Sequence, residues 1–332
     1  MGQCQNREPR EGTPRSYYLV FGGPPIRYTG EPSCRGPLIF NVVLDEADDE
    51  GKERAETLNL PVAVQSKQPF KLTQVNANNK KHGFIFSFSL SFAGHAAPPG
   101  YSLRILAGVD IEYREGEGIR LTQAEKSNSP FCVFECSSSD GLSEEVTATE
   151  PIYLQSLKNV VVSAMPDGAK RLTYAPIVIE LEYDPNAANG GTHKSRRNRE
   201  ELEETELIEH TVHYTFLDLP DTNSQPTTTG TSEGSGGAPA KPVVETKVVR
   251  QMLQYGSEVY ELDDVFGLTN DDADEEDGED TLCIVCFTNL RDTMLLPCRH
   301  MCLCYECASM LRLQRNNACP VCRINIERIM RA

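Results

Sequence analysis

The sequence has no tryptophan, and nowhere do apolar residues run for the ~20 consecutive positions a membrane-spanning helix requires. Positive charge is scarce: 32 Lys and Arg stand against 49 Asp and Glu, a formal net charge of −17. That balance argues against nucleic acid as the main partner, because phosphate binding draws on clustered cations. No N-terminal stretch reads as a secretory signal, since Gln3 to Arg15 is polar throughout, so a reducing, cytoplasmic setting is expected. A Gly-rich phosphate loop and a βαβ rhythm are also missing, which removes the common nucleotide-binding folds.

What is present is enough for packed cores. Of 332 residues, 39 % are hydrophobic, with 24 Gly and 21 Pro to punctuate the chain. Residues 1–16 read as a flexible N-terminus. From Tyr17 the dominant signal is period-two alternation, the signature of half-buried strands. Phe84, Phe86, Phe88, Leu90 and Phe92 fall on one face, with Ser87, Ser89 and Ser91 opposite. Tyr101, Leu103, Ile105, Ala107 and Val109 repeat the pattern, as do Ile177, Ile179, Leu181 and Tyr183. Short alternating strands with turns between them predict a mainly β chain, an antiparallel β-sandwich-like domain over 17–220. A charged stretch at 189–205 interrupts it as an insertion, and Val212, Tyr214 and Phe216 supply one more strand.

Residues 221–242, rich in Thr, Ser, Gly and Pro, read as a flexible linker. Residues 243–268 carry apolar residues again and are expected to form a hairpin that turns near Gly256 and docks on the β domain. An acidic linker at 269–281 follows, with eight carboxylates in the ten residues Asp271 to Asp280, and reads as a solvated, self-repelling spacer. From Cys283 to Ala332 the balance reverses, with seven Arg against three acidic residues.

Eight of the 12 cysteines lie between Cys283 and Cys322; the others are Cys4, Cys34, Cys132 and Cys136. Dense cysteine with an interposed histidine and no export signal reads as metal binding rather than a disulfide framework. The run is C-x2-C, eleven residues, C-R-H, three residues, C-x2-C, eleven residues, C-x2-C. It assigns eight ligands: Cys283, Cys286, Cys298, His300, Cys304, Cys307, Cys319 and Cys322. Zinc takes four N or S ligands in a tetrahedron, and a C-x2-C turn offers two thiolates at once, so eight ligands hold two Zn²⁺ ions. Spacing alone leaves both consecutive and interleaved pairing open. A segment this short buries too little apolar surface to fold without a staple, and each structural zinc can contribute roughly 10–16 kcal/mol in model peptides. Cys302 lies outside the pattern and reads as a small buried hydrophobe, because nothing around it is arranged to activate a nucleophile. Cys132, Phe134 and Cys136 alternate, so they are expected to share one face of a strand, the two thiols as core and not as ligands.

Residues Leu282 to Arg331 resemble the RING of the mahogunin RING finger family of ubiquitin ligases and their plant relatives. The words that carry it are RDTMLLPCRHMCLCYECA (Arg291 to Ala308), LRLQRNNACPVCR (Leu311 to Arg323) and the tail INIERIM. Upstream, Val248 to Leu268 and SYYLVFGG (Ser16 to Gly23) are similar more weakly. The resemblance implies a small α+β RING module over 282–325 with a tail at 326–332, its zincs cross-braced. One ion then takes Cys283, Cys286, Cys304 and Cys307, and the other takes Cys298, His300, Cys319 and Cys322. It further implies a ligase that forms no covalent intermediate. The RING holds a ubiquitin-conjugating enzyme and its thioester-linked ubiquitin in a reactive pose, and a substrate lysine attacks directly. On this reading Val285, Leu311 and Pro320 contact the conjugating enzyme. Arg323 bridges enzyme and ubiquitin, a task suited to the guanidinium fork.

Substrates are expected to be recruited by the β domain. The alternative is a non-catalytic RING scaffold; a nucleic-acid-binding zinc module is disfavoured by the adjoining acidic tract. The tail, with Ile324, Ile326 and Ile329 among polar residues, is a candidate surface for a RING dimer. Met1-Gly2 with Cys4 fits myristoylation at Gly2 and palmitoylation at Cys4, hence peripheral membrane attachment, although Asn6 stands where the motif favours Ser or Thr.

Overall fold

The computed structural model describes residues 17–21, 38–42, 55–59, 62–65, 68–76, 82–92, 100–125, 127–137, 140–165, 170–184, 210–220, 242–267, 282–314 and 317–331. The N-terminal segment with Gly2 and Cys4, the insertion at 189–205, the linker up to Lys241 and the acidic tract lie outside these residues. The described strands are β1 (Tyr17–Phe21), β2 (Leu38–Val42), β3 (Ala55–Asn59), β4 (Val62–Val64), β5 (Phe70–Asn76), β6 (His82–Phe92), β7 (Tyr101–Arg114), β8 (Gly118–Gln123), β9 (Cys132–Ser137) and β10 (Glu145–Thr147). They continue with β11 (Val161–Ala164), β12 (Lys170–Tyr183), β13 (Thr211–Leu217), β14 (Val243–Thr246), β15 (Val248–Tyr255), β16 (Glu258–Asp264), β17 (Thr293–Leu296), β18 (His300–Leu303) and β19 (Arg328–Arg331). Helix α1 spans Tyr305–Arg312. The chain divides into two compact units, one built largely from Leu60 to Leu262 and the other from Met1–Pro25, Pro37–Asn59 and Asp263–Ala332.

The larger unit is a β-sandwich, as the alternation predicts. One sheet runs β16-β15-β13-β12-β7-β8, with β9 added to β7 and β11 to β12; the other runs β10-β6-β5-β14, with β4 added to β6. The long strands β7 and β12 pair antiparallel from Tyr101↔Tyr183 to Tyr174↔Asp110 and form the spine. Between the sheets lie Phe70, Leu72, Phe86, Phe88 and Leu90 against Leu103, Ile105, Ile177, Ile179 and Leu181. The phenylalanine rings of β5 and β6 stack at centroid distances of 5.6–6.3 Å. Strands β15 and β16 form a hairpin turning at Gly256, whose φ is +57°, and β15 is zipped onto β13.

The alternation fails at two places. Val109 packs with Leu106, Val178 and Phe216 in a second cluster, away from Ala107 and Ile105. Gly108 between them has φ +65°, and a Cβ there would lie 2.6 Å from the Ser127 Oγ, so the strand changes face at a left-handed position that favours glycine. The partner strand β9 shifts register between Ile105 and Leu106. As a result Cys132 packs against the second cluster, whereas Phe134 and Cys136 pack against the first. The three do not share one face.

The second unit corrects the expected boundaries. Strand β1 pairs in parallel with β2, which pairs antiparallel with β3. The final residues of β16 pair with β1 at Tyr18↔Asp264 and Leu19↔Asp263. Leu19, fully buried, packs with Val265, Met294, Leu296, Met301 and Met330. Strands β1, β2 and β3 thus belong to the unit of the C-terminal module rather than to the sandwich, and Leu19 covers an apolar face of the module's sheet β18-β17-β19. The tail at 326–332 is likewise part of the module. Ile326 is buried in its cysteine-rich core, and β19 lies along β17 with Met330 buried. Those apolar groups are used within the module, which leaves Ile324, 48 % exposed, as the tail isoleucine facing solvent.

Candidate metal centre

Among the described residues three non-glycines have left-handed backbone: Phe287 (φ +53°), Arg299 (φ +60°) and Arg323 (φ +63°). Each directly follows a predicted ligand cysteine. In two of the three C-x2-C turns, the first and the last, this residue closes the loop, Phe287 N–H donating to the Cys283 carbonyl and Arg323 N–H to the Cys319 carbonyl, both at 2.8 Å. The Arg299 N–H donates to the Leu295 carbonyl at 2.7 Å. This strained conformation is the cost of turning two thiols toward one point.

The eight residues assigned from the spacing come together in two groups, Cys283, Cys286, Cys304 and Cys307, and Cys298, His300, Cys319 and Cys322. Within each, the donor atoms lie within 4.8 Å of one another. The pairing is interleaved along the chain, first with third and second with fourth, which settles what spacing leaves open. A tetrahedron with Zn–S bonds of about 2.3 Å has S···S edges of about 3.8 Å, and Cys286 and Cys304 sulfurs stand 3.9 Å apart. Among the described residues the buried His300 Nδ1 has no hydrogen-bond partner, a polar atom that a metal bond would satisfy. Two clusters of soft donors in sets of Cys4 and Cys3His fit two structural zinc ions.

Local electrostatics prepare some ligands and not others. The backbone N–H groups of Asn289 and Thr288 pull the Cys286 thiol down to about 6, and the N–H of Ile324 lowers Cys322. Burial pushes Cys298 up to about 12 and also raises Cys307, so their deprotonation is something the metal itself must supply. Burial also lowers the His300 pKa, favouring the neutral imidazole that can ligate. The Phe266 ring lies 5.6 Å from the His300 ring, and Phe266 bridges Arg299 and Met301 through backbone hydrogen bonds. Cys302 is buried in the module core with its thiol pushed up to about 12 by burial. It is packing, not a nucleophile.

Val285 sits inside the first C-x2-C turn and is 51 % exposed. Pro320 is exposed inside the last one. Leu311, on α1, is half-buried against the cysteine core. Arg323 is exposed, and among the described residues its guanidinium makes no ion pair. Sequence reasoning missed the breadth of the exposed apolar surface, which also includes Phe287, Leu290, Met310, Leu313 and Val321. The signal was available for Val321 and Phe287: a turn tight enough to aim both thiols at a metal leaves its other side chains outside. Asp292 was missed as well. It accepts from the Tyr305 N–H at 2.7 Å and from Arg331 Nε at 3.0 Å.

Two interleaved metal clusters, a three-stranded sheet and one short helix define a RING finger. Residues 279–329 match the family described as zinc finger, C3HC4 type (RING finger). The C-terminal region is 40 % identical over 96 residues to the Arabidopsis thaliana protein named Probable E3 ubiquitin-protein ligase LOG2. It is 44 % identical over 89 residues to Probable E3 ubiquitin-protein ligase LUL4 of the same plant, and 35 % identical over 96 residues to E3 ubiquitin-protein ligase MGRN1 of Homo sapiens. These alignments cover 27 %, 26 % and 29 % of this chain and 24 %, 24 % and 17 % of the relatives. The chain therefore spans about a quarter or less of the curated relatives it matches. No solved structure matches.

Proposed function

We propose that this protein is a RING-type ubiquitin ligase that recruits a charged ubiquitin-conjugating enzyme and promotes direct transfer of ubiquitin to a substrate lysine. The observation that carries the reading is the outer surface of the zinc turns. Val285 and Pro320 are held out to solvent by the two metal sites, and Arg323, without an ion pair among the described residues, follows the last ligand. Apolar groups fixed by metal-pinned turns form a preorganised contact for a protein partner, which lowers the entropic penalty of binding. In this role Val285, Leu311 and Pro320 contact the conjugating enzyme. Arg323 bridges it to the donor ubiquitin, restricting the thioester to conformers open to attack. Among the described residues of the module no cysteine is placed to act as a nucleophile: Cys302 is buried, and the others fall into the two metal-binding clusters.

The sandwich unit is proposed to recruit protein substrates. Acylation at Gly2 and Cys4, with peripheral membrane attachment of a cytoplasmic protein, belongs to the same proposal and rests on the sequence motif.

The test is a single-turnover discharge assay with the full chain and a panel of ubiquitin-loaded conjugating enzymes, using free lysine as acceptor. Wild type should accelerate discharge of at least one enzyme. Arg323→Ala should slow discharge roughly tenfold or more with both zincs retained, the scale of losing a charge-assisted contact in the reactive complex. A protein that binds two zincs and accelerates no enzyme in the panel is a scaffold.

A further inference from the structure

Helix α1 begins without a cap of its own. Its N-cap residue is Cys304, whose side chain makes no capping hydrogen bond and instead belongs to the first metal-binding cluster. The first N–H groups of a helix need acceptors, and a side chain committed to a metal cannot provide one. The acceptor comes from elsewhere in the fold. Asp292, directly before β17, takes the Tyr305 N–H on Oδ1 at 2.7 Å and the Thr293 hydroxyl on the same atom at 2.9 Å. Its carboxylate also faces the positive end of the helix dipole.

The second carboxylate oxygen is held from the opposite direction. Arg331 Nε donates to Asp292 Oδ2 at 3.0 Å, and the Arg331 guanidinium lies 5.5 Å over the Tyr305 ring, so it touches both the cap and the first residue of the helix. Arg331 is placed there by β19, where it pairs with Thr293. One carboxylate thus joins the start of α1, the start of β17 and the end of β19.

We propose that Asp292 and Arg331 form a latch that sets the position of α1, and through it the stance of Leu311 in the conjugating-enzyme contact. The inference rests on the ligase reading above and makes both positioning residues, since neither touches the reacting atoms. The C-terminal strand becomes part of the apparatus that presents the RING to its enzyme.

The experiment is steady-state discharge by the full chain, titrated with the loaded conjugating enzyme, for wild type, Asp292→Asn, Arg331→Ala, Arg331→Lys and the Asp292→Asn/Arg331→Ala double variant, each shown to hold two zincs. Asp292→Asn keeps an acceptor for the Tyr305 N–H but loses the charge that holds Arg331. Asp292→Asn and Arg331→Ala should each raise the half-saturating enzyme concentration about three- to tenfold with the maximal rate unchanged, and the double variant should be no worse than either. Arg331→Lys should recover part of the loss. A purely structural role would lower the melting temperature and leave that concentration unmoved at 20 °C, which would overturn the latch, as would full additivity. Wild type failing to discharge any enzyme would instead sink the ligase reading, a result distinguishable from inactive latch variants beside an active parent.

Discussion

The sharpest prediction concerns Leu19, far in sequence from the zinc ligands. Its side chain is 0 % exposed and packs on Val265, Met294, Leu296, Met301 and Met330. Leu19→Ala removes three heavy atoms from a site walled by the module's own sheet. Fully buried Leu→Ala substitutions cost about 3–5 kcal/mol, the transfer term plus the cavity left behind. Methionines can partly refill a void, so the low end applies, about 3 kcal/mol. In a unit of this size that corresponds to a drop of roughly 12–24 °C in its melting transition. The readout should be zinc release into a chromophoric chelator during a thermal ramp, which reports on the RING-containing unit alone. Leu262→Ala, at the sandwich end of β16, serves as a control that should leave the zinc-release temperature nearly unchanged. A shift below about 4 °C for Leu19→Ala would show that β1 does not complete the module's core, and the division of the chain drawn above would be wrong.

Cys319→Ala should reduce bound zinc from two ions to at most one, checked by native mass spectrometry, and abolish discharge; retention of both ions would contradict the ligand assignment. Buried His213, its pKa pushed down to about 4 by desolvation, remains neutral in the fold while the unfolded chain takes up a proton below about 6.5. Acidification from about pH 6.5 toward 4 should therefore withdraw up to about 3 kcal/mol from the sandwich unit. His213→Asn should flatten that slope in urea titrations, and an unchanged slope would clear His213 of the effect. Gly108→Ala should destabilise the sandwich by about 2 kcal/mol, since a Cβ meets Ser127 and the backbone is left-handed. Ser127→Gly should relieve only the steric share, and full rescue would mean that conformation contributes nothing.

Where a feature is local, it was readable from residues alone. The run Phe86, Phe88, Leu90, Phe92 faces the core as its alternation predicts, because strand periodicity is a property of neighbouring backbone. The ligand spacing named all eight donors, because short C-x2-C turns constrain metal geometry within a few residues. What was not readable depends on partners distant in the chain. Nothing in YYLVF distinguishes a sandwich strand from one that covers Met294, Met301 and Met330. Ile326 and Met330 looked like an appended tail because their burial depends on β17, which lies about 30 residues upstream. Asp292 reads as an ordinary surface carboxylate until Cys304 is seen to be unable to cap its own helix. Val109 looked continuous with Ile105 because the twist at Gly108 is set by its fit against Ser127, not by the local pattern.

The closure of Leu19 onto Met330 has a temporal side. The two residues are about 310 positions apart, so on a ribosome elongating at roughly 5–20 residues per second β1 emerges some 15–60 s before its cover exists. During that interval Leu19 is an orphan, an apolar strand with its natural neighbour not yet made. Prematurely terminated chains would carry that orphan permanently and could never assemble the zinc module against it. On the proposed ligase reading, a fragment that lacks β1 or β19 leaves the unit that carries the RING incomplete.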